Sequence, residues 1–379
     1  MAFYLGLMLG SSADAIDAAI IDITNENITL LASYAQRLDE PLRQQLLNVA
    51  TGQLASPTLY WQLEHQISKA AVSAAQRVIQ SAQLICCQIA AVGVHGYTCL
   101  HQPEDLDHPT SVQLVDANVI AQALGVPVVS DFRRMDIAAG GQGAPLAPAF
   151  HATLWQRTHP ALAVVNIGGM ANVTAWQGRN LHGFDTGPGN VWLDAWVQQH
   201  RSQPYDNGGE WAASGRVQHD LLSALKTIDF FQQAPPKSTG RDVFNIDHLD
   251  RILAQGYRTR SSHDIQATLA EITAWSIASA VQTYTPWVRR VAVCGGGAHN
   301  HDLLNRIRGY LSAYQVHSTQ VLGWHPDWIE ASAFAWLAYL RLVEKVVPIA
   351  SVTGAKHNCL LGGIYQAAKQ MSQMEGVSD

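Results

Sequence analysis

The sequence predicts an α/β protein built as two lobes. Its 379 residues exceed what one ordinary hydrophobic core accommodates, so two domains are expected. Each half contains a predicted strand hairpin, followed by further strands that alternate with helical patterns. We divide the chain into an N-terminal lobe, residues 1–133, and a C-terminal lobe, residues 134–379. We also allow for a C-terminal helix that packs back on the N-terminal lobe.

Composition narrows the function classes. The 24 basic and 30 acidic residues give a formal net charge of -6 without a basic block, which argues against a nucleic-acid surface. Five cysteines without Cys-x-x-Cys spacing fit a reducing compartment. The apolar start of the chain lacks the basic residues of a signal peptide, and no uncharged run of about 18 apolar residues indicates a membrane span. A cytoplasmic protein without a membrane partner is expected.

The N-terminal lobe is predicted to begin with a hairpin of strands at 3–9 and 18–23. The hydroxyl-rich loop between them is suited to binding a phosphate through its N–H groups, although an ordinary hairpin turn accounts for the same residues. In chain order there follow helices at 40–50 and 57–83, a strand at 89–94, a helix at 116–124 and a strand at 126–129. A Gly- and Pro-rich connection at 138–148 is predicted to be a hinge between the lobes.

Two histidines, His95 and His101, follow the strand at 89–94. Six residues apart on a strand-to-loop segment, and without a third partner, they have poor spacing for metal ligands. The pattern favours a polar loop contact.

The C-terminal lobe repeats the theme. Strands are predicted within 161–184 and at 290–294, and helices near 189–200, 215–227, 243–255 and 264–283, from about 301, and at 331–344. Lys237-Ser-Thr is not a P-loop, because no Gly-x-x-x-x-Gly precedes it. Asp327 and Glu330 have the spacing of a capping box, which competes with any functional role of Glu330.

The segment 182–190 is the most informative stretch. It places Asp185 at a predicted strand end and is expected to point the N–H groups of residues 187–190 outward, where they favour an anion. A carboxylate beside an anion site is costly unless it binds a cation or accepts a proton. The alternative is that Asp185 only caps a turn or helix.

Glycine turns add to this pattern. Gly295, Gly296 and Gly297 follow a predicted strand, so a flat ring or a phosphate can approach the backbone closely, although a tight strand-to-helix connection explains them equally. Two lobes that each carry a phosphate loop and an Asp (Asp14, then Asp185) suit a nucleoside triphosphate with Mg²⁺ clamped in a cleft.

At this point the sequence resembles the anhydro-N-acetylmuramic acid kinases, sugar kinases of the actin/hexokinase superfamily. The resemblance runs from Gly6 to Ala355 and rests on these ordered segments: 10–17, 93–96, 131–133, 140–145, 166–169 with Asn172, 185–190, 235–241, 294–297 with Asn300, 330–334 and 352–355. It implies a two-lobed actin/hexokinase-like (ribonuclease H-like) fold with an ATP cleft between the lobes.

The resemblance also implies a reaction. Water opens the anhydro bridge of 1,6-anhydro-N-acetylmuramic acid while O6 takes the γ-phosphoryl group of ATP, giving N-acetylmuramic acid 6-phosphate and ADP in peptidoglycan recycling. Asp185 is the implied general base. His95, Arg133 and Glu330 are the implied substrate-side residues. ATP and Mg²⁺ are the implied cofactors, without a dedicated protein metal site, and a homodimer is implied. The implied nucleotide-binding residues are Gly10, Ser11, Ser12, Ala13, Asp14, Ala15, Ile16, Asp17, Gly168, Gly169, Gly187, Gly189, Asn190, Gly295, Gly296 and Gly297.

The chain departs from the family pattern at a few positions. Leu9 replaces a hydroxyl residue, Ala15 a glycine, Tyr97 a glutamine and Asp242 a glutamate. If the glycine served a positive φ or a close phosphate approach, Ala15 is expected to strain or loosen the loop by about 1 kcal/mol or more.

Two other functions fit the same residues. A non-catalytic nucleotide switch or sugar sensor needs no base, so Asp185 argues against it and the altered first loop argues for it. A kinase for an ordinary hexose would act on open sugars without ring cleavage.

Overall fold

The computed structural model describes residues 2–25, 27–52 and 56–367. The strands are β1 Phe3–Leu9, β2 Ala15–Thr24, β3 Asn27–Arg37, β4 Ile89–Val94, β5 Tyr97–Gln102, β6 Thr110–Leu114, β7 Val128–Ser130, β8 Leu162–Ile167, β9 Met170–Gln177, β10 Asn180–Pro188, β11 Arg290–Cys294, β12 Gln315–Ser318 and β13 Gly363–Tyr365. The helices are α1 Glu40–Ala50, α2 Pro57–Ser81, α3 Ala117–Leu124, α4 Arg134–Ala138, α5 Ala147–Trp155, α6 Val191–Arg201, α7 Glu210–Ser214, α8 His219–Leu225, α9 Ile246–Leu253, α10 Ser262–Tyr284, α11 His301–Tyr310, α12 Ile329–Leu342 and α13 Ala350–Thr353. Within these residues, none of the helices has the length and apolarity needed to cross a membrane.

Two mixed sheets share one strand order. The first runs β13-β7-β4-β1-β2-β3 and the second β10-β9-β8-β11-β12, with a separate hairpin of β5 and β6. In each sheet three antiparallel strands follow one another, and the next strand runs parallel to the first of them. The plan that the sequence predicts for both halves is therefore present, but Asp185 does not lie at the position equivalent to the first loop. The counterpart of the first loop is the turn at 168–169, whereas Asp185 lies within β10, the third strand.

Continuous apolar runs form the central strands because both faces of each sheet are covered. Along β8, Leu162 and Val164 join the cluster around α5 and α12, while Ala163, Val165 and Ile167 pack toward α10 and α11. Strand β1 divides its side chains between two clusters in the same way. The period of two along each strand thus supplies two layers of core at once.

Helix α12 packs directly on the first sheet, although it belongs to the second half of the sequence. A Cβ at Gly6 would overlap the carbonyl oxygen of Ala331, and a Cβ at Gly93 would overlap that of Phe334. The backbones of β1 and β4 therefore contact the helix backbone, and Gly is the one residue type that permits this approach. The same part of the chain later supplies β13, which pairs with β7.

Several predicted elements are confirmed and others are wrong. The strands at 3–9, 89–94 and 290–294 have the predicted bounds. Of the helix predicted at 215–227, only 219–225 is helical, as α8, and the separate short helix α7 ends just before it. The strands β3, β5, β6, β12 and β13 were not predicted. The connection at 138–148 is held by hydrogen bonds, in which the buried Asp136 accepts from the N–H of Gly143 and from the Thr353 hydroxyl, and its role as a hinge stays a prediction.

The predicted capping box at the start of α12 is wrong. The helix begins at Ile329 after a 3₁₀ turn, and its N-cap residue, Trp328, provides no side-chain cap. Asp327 instead accepts a hydrogen bond from His299. Glu330 is therefore not used as a capping partner, and its side chain faces the cleft.

Candidate active site

A cavity of about 1140 Å³ lies between the two sheets. Both lobes contribute to its wall. Its lining includes residues of the first loop, the turn at 168–170, the loop at 239–242, the turn at 295–296 and the start of α12. Most of the polar segments singled out from the sequence thus meet in one place, although they are spread over more than 300 residues.

Asp185 lines this cavity and is 6% exposed. Its backbone N–H donates to the carbonyl of Lys237, and its Oδ2 accepts from the N–H of Thr239 at 2.9 Å. Burial raises the pKa of Asp185 to about 7, against the opposing effects of the Thr239 N–H and the positive charges of Arg133 and Lys237. A carboxylate with a pKa near the ambient pH is suited to accept a proton and to release it again.

Arg133 and His95 form a second group on the cavity wall. The guanidinium donates to His95 Nε2 from Nε at 3.0 Å and from Nη2 at 2.8 Å, and to the carbonyl of Gly143. Burial and the Arg133 charge hold the pKa of His95 well below its usual range, so the imidazole is neutral and acts as an acceptor. The ring also packs on Phe334, with centroids 4.7 Å apart. His95 therefore orients Arg133 rather than binding a metal.

Glu330 enters the cavity from α12. Burial raises its pKa, while the charge of Arg133 and a side-chain hydrogen bond with Asn166 lower it. Arg133 thus interacts with three acids, of which Asp185 and Glu330 line the cavity and Asp136 does not. The three predicted substrate-side residues and the predicted base all lie in the same cavity.

Two arginines hold the first loop through its carbonyl groups. Arg241 donates to the carbonyl of Ser11 at 3.0 Å, and Arg43 donates to that of Ser12 at 3.1 Å. Ala15 does not have a positive φ; Ala13, at φ 53°, does. The strain expected at Ala15 is therefore absent there, because this residue is the first of β2 and has an extended backbone.

The predicted nucleotide-binding residues divide into two sets. Those that line the cavity are Gly10, Ser11, Ser12, Asp14, Ala15, Asp17, Gly168, Gly169, Asn190, Gly295 and Gly296; those that do not are Ala13, Ile16, Gly187, Gly189 and Gly297. In the second set, two glycines are required by close packing. A Cβ at Gly189 would overlap the carbonyl oxygen of Gly168, and one at Gly297 would overlap Ile167.

The N–H groups predicted to point outward at 187–190 are in part already used. Those of Gly189 and Asn190 donate to the carbonyls of Gly169 and Gly168, at 2.9 and 2.8 Å. The expectation of outward-pointing donors is wrong for these two residues. They tie the turn at 168–169 to the start of α6.

Two of the family departures are buried. Leu9 is 2% exposed and belongs to the core of the first lobe. Tyr97 is fully buried, and its hydroxyl has no hydrogen-bond partner among the described residues. Tyr97 does not line the cavity, although Thr98 and Cys99 beside it do.

Among the polar residues of the cavity that were given no role from the sequence are Asn172, Asp194, Thr239 and Arg241. Asn172 is directly opposite Asp185 in the β9–β10 ladder. An asparagine within a largely apolar strand is a detectable signal, but the residue opposite it was not identifiable without the strand register. Thr239 and Arg241 lie on a loop whose path only the folded chain shows.

The comparisons with known proteins identify the family of the chain. The sequence matches the family described as "Anhydro-N-acetylmuramic acid kinase" over residues 2–367. A relative of that name in Pasteurella multocida is 40% identical over 372 residues, 98% of each chain. Another, in Pseudomonas savastanoi pv. phaseolicola, is 41% identical over 366 residues, 96% of this chain and 99% of its own.

Among solved structures, component A of the (R)-2-hydroxyglutaryl-CoA dehydratase of Acidaminococcus fermentans is similar, with a TM-score of 0.50 and 13% identity. The similarity covers 90% of this chain and 100% of that one, and at this identity it shows the fold alone. The predicted actin/hexokinase-like fold is confirmed. Because its sequence matches over nearly the whole length, the chain belongs to the anhydro-N-acetylmuramic acid kinase family and is an enzyme, a kinase that acts on a sugar.

Proposed function

We propose that this enzyme opens 1,6-anhydro-N-acetylmuramic acid with water and phosphorylates O6 from ATP, giving N-acetylmuramic acid 6-phosphate and ADP. The main support for this proposal is Asp185. It is a buried carboxylate on the wall of a cavity shared by both lobes, and its pKa is raised to about 7. The names of the relatives supply the sugar, and the carboxylate supplies the proton acceptor that hydrolysis requires.

The chemistry needs only one carboxylate. Opening a glycosidic bond usually uses two, one to activate water and one to protonate the leaving oxygen. In the proposed reaction, a water O–H gives its proton to Asp185 and the water oxygen bonds to the anomeric carbon. The bond from that carbon to O6 breaks, and O6 bonds to the γ-phosphorus as ADP leaves. The phosphoryl group thus replaces the second proton.

The nucleotide is proposed to lie along the first loop and the two glycine turns. Gly10, Gly168 and Gly296 each line the cavity, and a Cβ built on any of them has no heavy atom closer than 3.6 Å. These three positions leave room for phosphates or a ring beside the backbone. Arg241 and Arg43 fix the first loop by donating to the carbonyls of Ser11 and Ser12.

The residues present fit Mg²⁺ bound together with phosphates. Burial, and then the negative charges of Asp14, Glu330 and Asp327, raise the pKa of Asp17 to about 8. A cation at this position would relieve that repulsion. Mg²⁺ in phosphate-transfer sites is typically held by one or two carboxylates, water and phosphate oxygens, and Asp17 is the carboxylate proposed for this role. Such an ion neutralises phosphate charge during the transfer.

His95, Arg133 and Glu330 are proposed to bind the sugar. Arg133 offers a charged donor to the lactyl carboxylate or to ring oxygens, and the neutral His95 keeps it in place. Glu330 offers an acceptor to a sugar hydroxyl or amide. The family resemblance adds a homodimer in the cytoplasm and a role in recycling cell-wall muropeptides.

Product analysis in ¹⁸O-water tests the proposed reaction. The expected product carries label at the anomeric hydroxyl and phosphate on O6, with one ADP formed per sugar opened. Phosphorylation of an open hexose with the anhydro sugar left intact would identify an ordinary hexose kinase. Sugar-independent ATP hydrolysis, or no hydrolysis at all, would indicate a nucleotide switch.

A further inference from the structure

Two polar side chains beside Asp185 have atoms without hydrogen-bond partners. Asn172 is 9% exposed and lines the cavity, and its Oδ1 is buried with no partner among the described residues. Thr239 also lines the cavity, and its Oγ1 is likewise buried with no hydrogen-bond partner among the described residues. A buried polar atom without a partner is energetically costly, so one that lines a cavity is suited to bind a water or a ligand there.

The register brings Asn172 next to the base. Asp185 and Asn172 are paired across β9 and β10. The N–H of Asp185 points away from β9, toward the carbonyl of Lys237, so this pair is of the non-hydrogen-bonded type, in which side chains lie closest. The two side chains therefore share one face of the sheet, within reach of a single small molecule.

Thr239 approaches the same carboxylate from the other side. Its N–H donates to Asp185 Oδ2, which fixes the position of the threonine backbone relative to the acid. The hydroxyl of the same residue is then held close to the carboxylate by the short covalent path from N to Oγ1. Oδ1 remains as the oxygen suited to take a proton.

We infer that Asn172 and Thr239 hold the nucleophilic water against Asp185. A water molecule that attacks carbon uses one lone pair for the new bond and one O–H for the base. Its other O–H needs an acceptor and its other lone pair a donor, which a hydroxyl and a side-chain amide together supply. This inference rests on the proposed function, because an enzyme that does not hydrolyse its sugar needs no such water.

Asn172 differs in its hydrogen bonding from the asparagine on the next strand. On the next strand Asn166 is paired with Asn172, and its side chain is already bonded to Glu330 and contacted by the Cys294 thiol. Asn166 is thus satisfied by the protein, whereas Asn172 is not. Of two asparagines side by side on one face, only the one beside the base retains an unpaired atom among the described residues.

The test compares variants that remove or keep the polar group. Asn172→Leu and Thr239→Val remove it with little change in volume, and Thr239→Ser keeps the hydroxyl. Thr174→Val is the matched control, since Thr174 is a buried threonine on β9 whose hydroxyl is bonded to His151, away from the cavity. The measurements are kcat, both KM values, the pH profile of kcat and calorimetric binding of ADP and of the anhydro sugar.

We expect Asn172→Leu and Thr239→Val each to lower kcat about 10- to 100-fold, because a misplaced nucleophile loses that much rate. The KM values, ligand binding and apparent pKa of the acid limb should stay unchanged, since neither residue is charged. Thr239→Ser should recover most of the rate, and Thr174→Val should lower only the melting temperature.

Near-normal kcat in both apolar variants would overturn the inference while leaving the proposed function intact. A parallel loss of sugar binding would also overturn it, because the residues would then be substrate contacts. If the wild type phosphorylates a hexose without incorporating ¹⁸O, the proposed function and the inference fail together, and the two kinds of failure are distinguishable.

Discussion

The two sheets have the same strand order but place their acids differently. In the first sheet, Asp17 is the third residue of β2 and is paired with Ala35 of β3. In the second sheet, the third residue of β9 is Asn172, and the acid is its partner, Asp185 of β10. All four residues line the cavity. Each sheet therefore contributes one acid to it, the first from its second strand and the second from its third strand.

The charges that surround the two acids differ in sign. Burial raises the pKa of both, but negative neighbours add to the effect at Asp17 and positive neighbours oppose it at Asp185. Asp17 is therefore suited to a cation and Asp185 to proton transfer near neutral pH. The comparison shows that two buried aspartates in one cleft acquire different chemistry from the charges that face them.

The largest expected effect is at the acid of the second sheet. Asp185→Asn should lower turnover about 10²- to 10⁴-fold, because the amide cannot accept the proton. Binding of ADP should stay within a few-fold of the wild type. Steady-state ADP release and calorimetry measure the two quantities. Near-normal turnover of this variant would remove Asp185 from the role of base.

The lobes also differ in how closely a helix approaches the central strands. Gly93 of β4 meets the backbone of α12, whereas β11, the equivalent strand, contains no glycine. Gly93→Ala should destabilise the fold by about 3 kcal/mol, since a Cβ forces the strand and the helix apart. The control is Gly309→Ala on α11, where a Cβ meets nothing within 4 Å and should be neutral or stabilising. Thermal unfolding compares them; equal melting temperatures would contradict the close packing.

A smaller effect is expected at the acid of the first sheet. Asp17→Asn should raise the Mg²⁺ concentration for half-maximal rate about tenfold, a loss of about 1.4 kcal/mol. Because the folded pKa of Asp17 is raised, its contribution to stability declines as pH rises from the acid range toward about 8. The ligand-free variant should therefore melt higher than the wild type at pH 8 and equally at pH 4. An unchanged Mg²⁺ requirement would exclude Asp17 as a ligand.

The smallest effect should come from the charge beside the base. Lys237 is buried and donates to the carbonyl of Phe230, and burial lowers its pKa to about 8. The Lys237 charge lowers the pKa of Asp185, so Lys237→Met should move the acid limb of kcat to higher pH and reduce the rate about 3- to 10-fold at pH 6.5. Above pH 9, where the lysine is neutral, variant and wild type should converge. Lys237→Arg, which keeps the charge, should retain the wild-type limb.

The sequence was enough for the parts that depend on local pattern or motif. The strand at 89–94 and that at 290–294 follow from short apolar runs, and Asp185 was identified from its turn and from the family segments. The capping box at Asp327 and Glu330 failed because its spacing also fits a 3₁₀ turn, in which the acid binds His299 instead.

The tertiary structure decided in which lobe a segment packs and which side chains contact one another. The sequence alone determined that the chain forms two repeated α/β units, that it has the kinase segments and that Asp185 is the acid to examine. It did not determine that α12 covers the first sheet, that Asn172 lies opposite Asp185, or that Arg133 faces both Asp185 and Glu330. The reason is physical: apolar periodicity is a property of neighbouring residues, whereas strand register, burial and the sign of a facing charge are set by residues distant along the chain.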